Sequence, residues 1–575
     1  MLRRLLFWTV LILCVAPFSF GQSADPGGKA SPTPPGPGSQ SAGTGSNSTQ
    51  ADAAAALHPA PSALLEAIRH YRRGEFDAAI QSYNAVLQEN PKSPDAYAGL
   101  TRVYLKQKEV DQAYDAATNG LKVTDSPTVH VALGEVYFRQ GKIPEAEHEW
   151  ITVVNTGYPS ARAFWGLFRV RTSLSLYKQA KETLDKAHDL DPSDPDIQKS
   201  WVGSLSRAEQ IKFWEEYLAS PTNDDAETRA DMQHHLDFLK ASQNQPRHPC
   251  RLVSHVPSTE TKLVRILTDP THLHGYGLAV SLNEKKGELL LDTGAGGILI
   301  DQTLARKAGI SQISETDIGG IGDKGRSGGY VGFADSVKIG DLEFQDCRVS
   351  VLEKRSVLGG DGLIGGDVFS HFLVEIDFPG EKLRLSPLPK RPDEENAEVT
   401  LQTAKDGSGD DSPGKTDTDI IAKPSPTSRR GPRDRYIAPE MESYTQIYRF
   451  GHSLLIPTRM GEPTPRLFLI DTGSTLNLMS LKAAETLTKV RGNSNMHIRG
   501  LSGSVDKVYT ADKAVLQFAH LRQENQDVTT FDLSHLSDRM GTEVSGVLGF
   551  TTLRLLEMRI DYRDGIVDFT YKPQR

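Results

Sequence analysis

Cysteine is scarce in this chain. Its 575 residues include only three cysteines, and one of them, Cys14, lies in the apolar N-terminal run. The other two, Cys250 and Cys347, are too few for the disulfide framework of a small secreted domain. They could pair in an oxidising compartment, but two buried thiols are the favoured interpretation because a single pair makes no framework.

Metal and nucleotide motifs are missing as well. The sequence contains no CxxC, no HExxH and no clustered His/Cys spacing, so we predict neither a metal site nor a cofactor. The histidines in His234-His235 and His272-Leu273-His274 are interpreted as solvated or strand-edge residues. No GxSxG elbow and no P-loop occur, so the sequence carries no serine-hydrolase or P-loop signature.

The chain also lacks a strong basic charge and internal apolar runs of membrane length. A net charge of −9 and a pI of about 6.0 leave no electrostatic footprint for nucleic acid. Residues 1–21 have a basic start, a short apolar core and small residues before position 22, which predicts a secretory signal peptide cut after Gly21. An uncleaved anchor is the alternative, although the run is short for a bilayer span. We expect an exported protein, periplasmic or secreted, with no membrane span after signal removal.

Two segments have the composition of linkers. Residues 22–60 are rich in Pro, Gly, Ser and Ala without apolar periodicity, and residues 390–436 are polar without a repeating pattern. Such compositions do not bury enough apolar surface to fold, so both segments are predicted to be flexible.

A repeat begins after the first linker. Ala79, Ala113, Ala146 and Ala180 recur at intervals of 34, 33 and 34 residues, each inside a similar segment. The period and the small alanines resemble tetratricopeptide repeats, in which paired helices stack into a solenoid. The resemblance implies an α-helical domain over residues 61–243 that binds a protein or peptide on its concave surface, with pure scaffolding as the alternative.

The most informative motif occurs twice. Asp292-Thr293-Gly294-Ala295 follows an apolar run, and Asp471-Thr472-Gly473-Ser474 follows another. A single copy is equally well explained as a strand-end turn, because Asp and Gly favour turns. Two carboxylates that face each other could instead share one proton, which places an acid and a base at one site.

The register after each aspartate makes the pair specific. A helix-capping residue comes nine residues later, Asp301 or Ser480, and opens a helix-forming stretch. The further matches are a Gly-rich hairpin with Gly319 and Gly320 or Gly500, a Gly-hydrophobic-hydrophobic-Gly segment that ends at Gly365 or Gly549, and a last strand with Asp377 or Asp561. We therefore infer two copies of one folding unit.

This duplicated pattern resembles the retropepsin and pepsin-like aspartic peptidases. The resemblance covers about residues 250–389 and 437–575, which it makes lobe 1 and lobe 2 of one site. It departs in two respects: Asp367 lies two residues after Gly365 whereas Thr551 lies two residues after Gly549, and no single flap tyrosine can be assigned. The fold expected for the whole chain is an α-helical tetratricopeptide solenoid followed by an all-β, two-lobed acid-protease fold.

The resemblance also implies roles for individual residues. Asp292 and Asp471 would activate a water for attack on a peptide carbonyl. The supporting residues would be Thr293 and Thr472, which brace the two loops, and Gly294, Gly473, Gly365 and Gly549, which permit close backbone approach. The Gly-rich hairpins with Gly319, Gly320 and Gly500 would act as flaps over a polypeptide substrate.

One competing motif match and two alternative functions have to be weighed against this interpretation. Residues 320–325 match the dinucleotide fingerprint GxGxxG, but the sequence that follows is typical of a strand instead of the helix such a site needs. The alternative to an aspartic endopeptidase is a non-catalytic interaction scaffold with inactive or peptide-binding lobes. A further possibility is that each lobe pairs with the same lobe of another molecule.

Overall fold

The computed structural model describes residues 8–11, 62–244, 250–254, 256, 258–269, 272–320, 327–354, 360–391, 434–493, 496–501, 503–505 and 507–572. Strand β1 (Trp8–Leu11) is the described part of the predicted signal peptide. The predicted linker 22–60 and residues 392–433 of the second predicted linker lie outside the described residues. Within the described ranges, no helix combines the length and apolarity needed to cross a bilayer.

The N-terminal domain is a stack of paired helices. Its helices within the described residues are α1 (Ser62–Arg72), α2 (Phe76–Glu89), α3 (Pro94–Lys106), α4 (Val110–Val123), α5 (Pro127–Arg139), α6 (Ile143–Asn155), α7 (Ala161–Ser173), α8 (Tyr177–Leu190), α9 (Pro195–Trp201), α10 (Arg207–Ala219) and α11 (Ala226–Ala241). The repeated alanines Ala79, Ala113 and Ala146 are fully buried, because close packing of paired helices leaves room for a methyl group only. The predicted helical repeat fold is confirmed.

The rest of the chain is mainly β-structure in two lobes. Lobe 1 contains β2 (Arg251–Leu252), β3 (Thr259–Lys262), β4 (Val264–Asp269), β5 (His272–Leu282), β6 (Lys285–Asp292), β7 (Ile298–Asp301), α12 (Gln302–Lys307), β8 (Ser314–Ile318), β9 (Ser327–Ile339), β10 (Leu342–Leu352), β11 (Gly362–Gly365), β12 (Phe372–Asp377) and β13 (Lys382–Pro387). The segment after the GxGxxG match is therefore strand β9, as expected.

Lobe 2 follows a similar order and contains further short elements. It contains β14 (Thr445–Gln446), β15 (Tyr448–Phe450), β16 (Ser453–Arg459), β17 (Arg466–Ile470), β18 (Leu478–Ser480), α13 (Leu481–Glu485), β19 (Val490–Gly492), β20 (His497–Gly500), β21 (Gly503–Val505), β22 (Tyr509–Phe518), β23 (Leu521–Phe531), α14 (Ser534–Met540), β24 (Gly546–Leu548), α15 (Phe550–Leu553), β25 (Leu556–Asp561) and β26 (Ile566–Tyr571). The predicted caps are present: Asp301 accepts the Leu304 N–H at 2.6 Å and Ser480 accepts the Ala483 N–H at 3.1 Å.

The two lobes are joined by one sheet. Its strand order is β14-β26-β25-β12-β13-β3, and the central pair β12 and β25 is antiparallel with one strand from each lobe. Glu375 of β12 accepts a hydrogen bond from Arg559 of β25 at 3.2 Å across this junction. Because the sheet is continuous, the two lobes of one chain face each other across a fixed junction.

The solenoid is not separate from lobe 2. One hydrophobic cluster combines Phe138, Trp150 and Leu167 of the repeats with Leu467 and Val547 of lobe 2. The ring of Phe138 lies 6.0 Å from that of Phe450 in β15. This shared apolar core fixes the repeats against lobe 2.

Two sequence interpretations need correction. Cys250 and Cys347 form a disulfide within lobe 1, so the preference for two thiols was wrong. His274 is only 4% exposed and lies on β5, which has neighbouring strands on both sides. It is therefore a buried residue inside the sheet, not a solvated or strand-edge one.

Candidate active site

The two Asp-Thr-Gly loops meet at the centre of the β-domain. Asp292 ends β6 and Asp471 directly follows β17, and both side chains are fully buried. In each lobe the strand with the later glycine pair runs parallel beside the aspartate strand, β11 beside β6 and β24 beside β17. This crossing supports each loop from below and brings the two carboxyls within hydrogen-bonding reach of each other.

The threonines tie the loops together reciprocally. Thr293 Oγ1 donates to the Ile470 carbonyl at 2.8 Å and accepts the Thr472 N–H at 3.1 Å. Thr472 Oγ1 donates to the Leu291 carbonyl at 2.7 Å and accepts the Thr293 N–H at 3.0 Å. All four bonds cross between lobes in a buried setting, so they fix the separation of the aspartates.

Replacing one of these hydroxyls should weaken the junction measurably. Thr293→Val or Thr472→Val keeps the shape but leaves a buried N–H and a carbonyl of the other lobe without a partner. We expect each variant to lose about 1–3 kcal/mol of unfolding free energy in denaturant titrations. Thr293→Ser retains the hydroxyl and serves as the matched control; an equal loss in that variant would mean that the methyl group, not the hydrogen bonding, matters.

Two glycines allow the carboxyls to approach. A methyl group at Gly473 would lie less than 3.0 Å from the carboxyl of Asp292, and one at Gly294 would lie 2.7 Å from Cγ of Asp471. Each carboxyl therefore packs against the glycine of the opposite loop. Any side chain at either glycine would push the two aspartates apart.

Hydrogen bonding and burial set the chemistry of the pair. Asp292 Oδ1 accepts the Gly294 N–H at 2.8 Å, and Asp471 Oδ1 accepts the N–H groups of Gly473 and Ser474 at 2.9 Å each. Oδ2 of each carboxyl accepts no backbone N–H from a described residue. Burial raises the pKa of Asp471 to about 7. Burial, and then the charge of Asp471, raise the pKa of Asp292, so the pair holds a proton where free aspartates do not.

Gly365 and Gly549 leave room for the loops around the aspartates, because a side chain at either position would collide with those loops. A Cβ at Gly549 would lie less than 3.0 Å from the Leu476 carbonyl, and one at Gly365 equally close to the Ala295 carbonyl. Two residues after each of these glycines the lobes carry different side chains, but both side chains bond to the backbone that follows the Asp-Thr-Gly motif of the same lobe. Asp367 Oδ1 accepts the Gly297 N–H at 2.9 Å, and Thr551 Oγ1 donates to the Thr475 carbonyl at 2.7 Å.

The predicted flap glycines lie on two hairpins that reach the opposite lobe. The first hairpin consists of β8 and β9 with Gly319 and Gly320 after β8, and Gly319 lies against Arg539 of lobe 2. The second consists of β20 and β21, where Gly500 pairs with Gly503, and β1 lies parallel to β20. Leu501 at its turn joins an apolar cluster of lobe 1 that includes Ala295.

Two buried histidines lie beside the aspartate loops, a position that sequence reasoning did not predict. His274 Nδ1 lies 3.5 Å from Thr475 Oγ1 of lobe 2, and the ring of His452 lies against Gly296 of lobe 1. Burial lowers the pKa of His274 to about 4 and also lowers that of His452, so both are neutral near pH 7. The available signal was position: His274 precedes Asp292 by 18 residues and His452 precedes Asp471 by 19.

The described residues offer no evident metal-binding cluster. Among the described residues, no group of three or more His, Cys, Asp or Glu side chains is arranged to hold a metal ion. The distinctive feature of the site is a buried pair of carboxyls whose pKa values are raised, with two neutral imidazoles beside the loops that carry them.

Fold and site together define a two-lobed β-domain with two facing Asp-Thr-Gly loops, docked on a helical repeat solenoid. The comparison with family models agrees: the aspartyl protease model matches residues 278–368, and a tetratricopeptide repeat model matches residues 70–120. The chain therefore carries an aspartyl protease domain after a tetratricopeptide region. The first match contains Asp292 but ends before lobe 2, whose relation to lobe 1 rests on the duplicated strand order.

Solved structures similar to this chain include a tetratricopeptide protein. A thermophilic tetratricopeptide protein of Thermus thermophilus is 20% identical, with 31% of this chain and 97% of that chain covered and a TM-score of 0.25. PilF of Pseudomonas aeruginosa is 18% identical, with coverage of 32% and 91% and a TM-score of 0.22. No curated protein matches the chain.

Proposed function

We propose that this protein is an exported aspartic endopeptidase that hydrolyses peptide bonds with a water activated between Asp292 and Asp471. The carrying observation is the pair of buried carboxyls held within hydrogen-bonding reach by four bonds between lobes. One protonated and one ionised carboxyl can accept a proton from water and stabilise the developing oxyanion. The proton belongs to the pair, so neither aspartate has a fixed role.

The substrate is a polypeptide in an extended conformation. One hairpin of each lobe reaches the other lobe: Gly319 lies against Arg539, and Leu501 joins the lobe 1 cluster that includes Ala295. The repeat domain adds a surface suited to a protein or peptide ligand. The export part of the proposal is supported only by the N-terminal sequence. The competing scaffold function is disfavoured because both Asp-Thr-Gly loops and both supporting glycine segments are intact.

A proteolysis assay over a range of pH tests the peptidase function. The full chain without its signal should cleave denatured casein, and a pepstatin-type transition-state mimic should inhibit it. The pH dependence of kcat/KM should be bell-shaped, because activity appears when one carboxyl ionises and disappears when the pair loses its shared proton. Burial raises both pKa values above the ordinary 3.8, that of Asp471 to about 7. Both limbs of the pH profile should therefore lie at a higher pH than the pKa of a free aspartate.

The control and the contradicting result are direct. In Asp292→Asn, casein cleavage that is sensitive to a pepstatin-type mimic should be lost. A full chain that binds denatured casein without cleaving it at any pH between about 3 and 9, the range in which carboxyls with raised pKa values titrate, would favour the scaffold function instead.

A further inference from the structure

The first strand of the first hairpin, β8, lies between two helices. Helix α11 of the repeat domain packs against it on one side. Residue Arg539 of α14 in lobe 2 lies against Gly319, directly after β8. The lobe 1 hairpin is thus held by parts of the chain outside lobe 1.

The contact with α11 is mixed in character. The ring of Phe238 lies 6.4 Å from that of Phe333 in β9, and the guanidinium of Arg348 lies 4.3 Å above the Phe238 ring. His234 Nδ1 approaches Asp317 Oδ2 of β8 at 3.9 Å. The aromatic and cation–π contacts hold α11 against β9 and β10, the strands beside and beyond β8, while α11 also packs directly against β8.

The contact with Arg539 is close. A methyl group at Gly319 would lie less than 3.0 Å from Nη1 of Arg539, so glycine is the residue that lets the guanidinium reach the hairpin backbone. Burial first, and in smaller part the charge of Arg539, lower the pKa of His452 beside the aspartate loop of lobe 1. Arg539 thus contacts the hairpin at Gly319, and its charge also acts on His452, whose ring lies against Gly296 next to the aspartate loop.

Helix α14 is itself held by the repeats. Asp538 forms an ion pair with Arg139 of α5 and another with Lys108 at 3.1 Å. Just after the helix, Thr542 Oγ1 donates to the Phe138 carbonyl at 2.7 Å and the Glu543 N–H to the Arg139 carbonyl at 2.9 Å. Asp538 and Arg539 are neighbours in sequence, so the residue that contacts the repeats adjoins the one that contacts the hairpin.

We propose that Arg539 is a positioning residue for the substrate cleft and that the repeat domain holds it in place through α14. The solenoid thereby sets the affinity of the aspartate site for its polypeptide, in addition to any ligand it binds. The kinetic part of this inference rests on the proposed peptidase function, whereas the contact itself is independent of that function.

The test uses the full chain and four variants. Asp538→Ala removes both ion pairs with the repeats, and Arg539→Gln removes the charge at the hairpin, whereas Arg539→Lys keeps it. Asp185→Ala is the matched control because Asp185 pairs with Lys181 at 2.8 Å on α8, away from α14. Hydrogen exchange of residues 315–319 reports the hairpin, and casein hydrolysis gives KM and kcat.

Asp538→Ala and Arg539→Gln should each speed exchange in residues 315–319 and raise KM by about 3- to 10-fold, with kcat within about twofold of the parent. Arg539→Lys should restore KM, and Asp185→Ala should match the parent. Unchanged hairpin exchange in both variants, or an equal effect of Asp185→Ala, overturns the proposal. If the parent cleaves nothing but exchange is faster in these two variants, the positioning contact is supported and the peptidase function is rejected.

Discussion

Asp292→Asn and Asp471→Asn should each lower casein hydrolysis by about 10³-fold or more. Either substitution removes an ionisable partner from a pair whose chemistry requires one carboxylic acid and one carboxylate. The amide retains an oxygen that can accept the Gly294 or Gly473 N–H, so the loops keep their conformation. The measurement is initial rate under conditions where the parent shows its optimum.

The same variants should be more stable than the parent near neutral pH. A carboxyl with a raised pKa in the folded state favours folding below its unfolded pKa of 3.8, and that contribution is lost as the pH rises through about 7. Asp471→Asn lacks this titration. At pH 7 it should therefore gain on the order of 4 kcal/mol over the parent, and the gain should disappear near pH 4.

A buried aspartate outside the site provides the matched control. Asp561 is fully buried, and burial raises its pKa as well, but it lies at the end of β25 in the sheet that joins the lobes. Asp561→Asn should leave most of the turnover intact. If Asp471→Asn kept its activity, or if Asp561→Asn lost as much, the assignment of the reaction to the Asp292–Asp471 pair would be wrong.

Local patterns predicted much of the candidate site. The caps at Asp301 and Ser480 follow from short-range hydrogen bonding, which depends on neighbouring residues only. The interval from Asp292 to Gly365 sets which strand lies under the loop, since β11 must return beside β6. These features depend on neighbouring residues and on spacing along the chain, both of which can be read from the sequence.

Contacts between distant segments could not be predicted in the same way. The alternation in Ile376-Asp377 and Ile560-Asp561 indicates strands, but it does not say that β12 and β25 pair with each other. The same applies to Arg539, because nothing near it in the sequence indicates Gly319. Such contacts depend on how whole lobes dock, which residue periodicity does not encode.

One long-range contact did leave a signal in the duplication. Four residues before each aspartate lobe 1 has Glu288 and lobe 2 has Leu467. Glu288 is exposed, whereas Leu467 is 4% exposed and lies in the cluster shared with the repeats. The apolar residue in one copy indicates that the equivalent surface of lobe 2 is covered.

Leu467→Glu, which gives lobe 2 the residue of lobe 1, should destabilise the chain by about 3–5 kcal/mol. Leu467 packs beside the turn at Gly141 between α5 and α6, where a methyl group on Gly141 would lie 3.5 Å from Leu467 Cδ1. A carboxylate there has no partner in the apolar cluster. The measurement is the denaturant midpoint together with hydrogen exchange of residues 143–155.

The reverse substitution separates docking from strand stability. Glu288→Leu alters the equivalent exposed position of β6 and should change the unfolding free energy by about 0.5 kcal/mol or less. In Leu467→Glu, exchange should accelerate in α6 as well as in β17, because a shared core loses protection on both sides at once. Faster exchange confined to β17 would instead show that repeats and lobe 2 are stabilised separately. The positioning of Arg539 by the solenoid would then lose its structural basis.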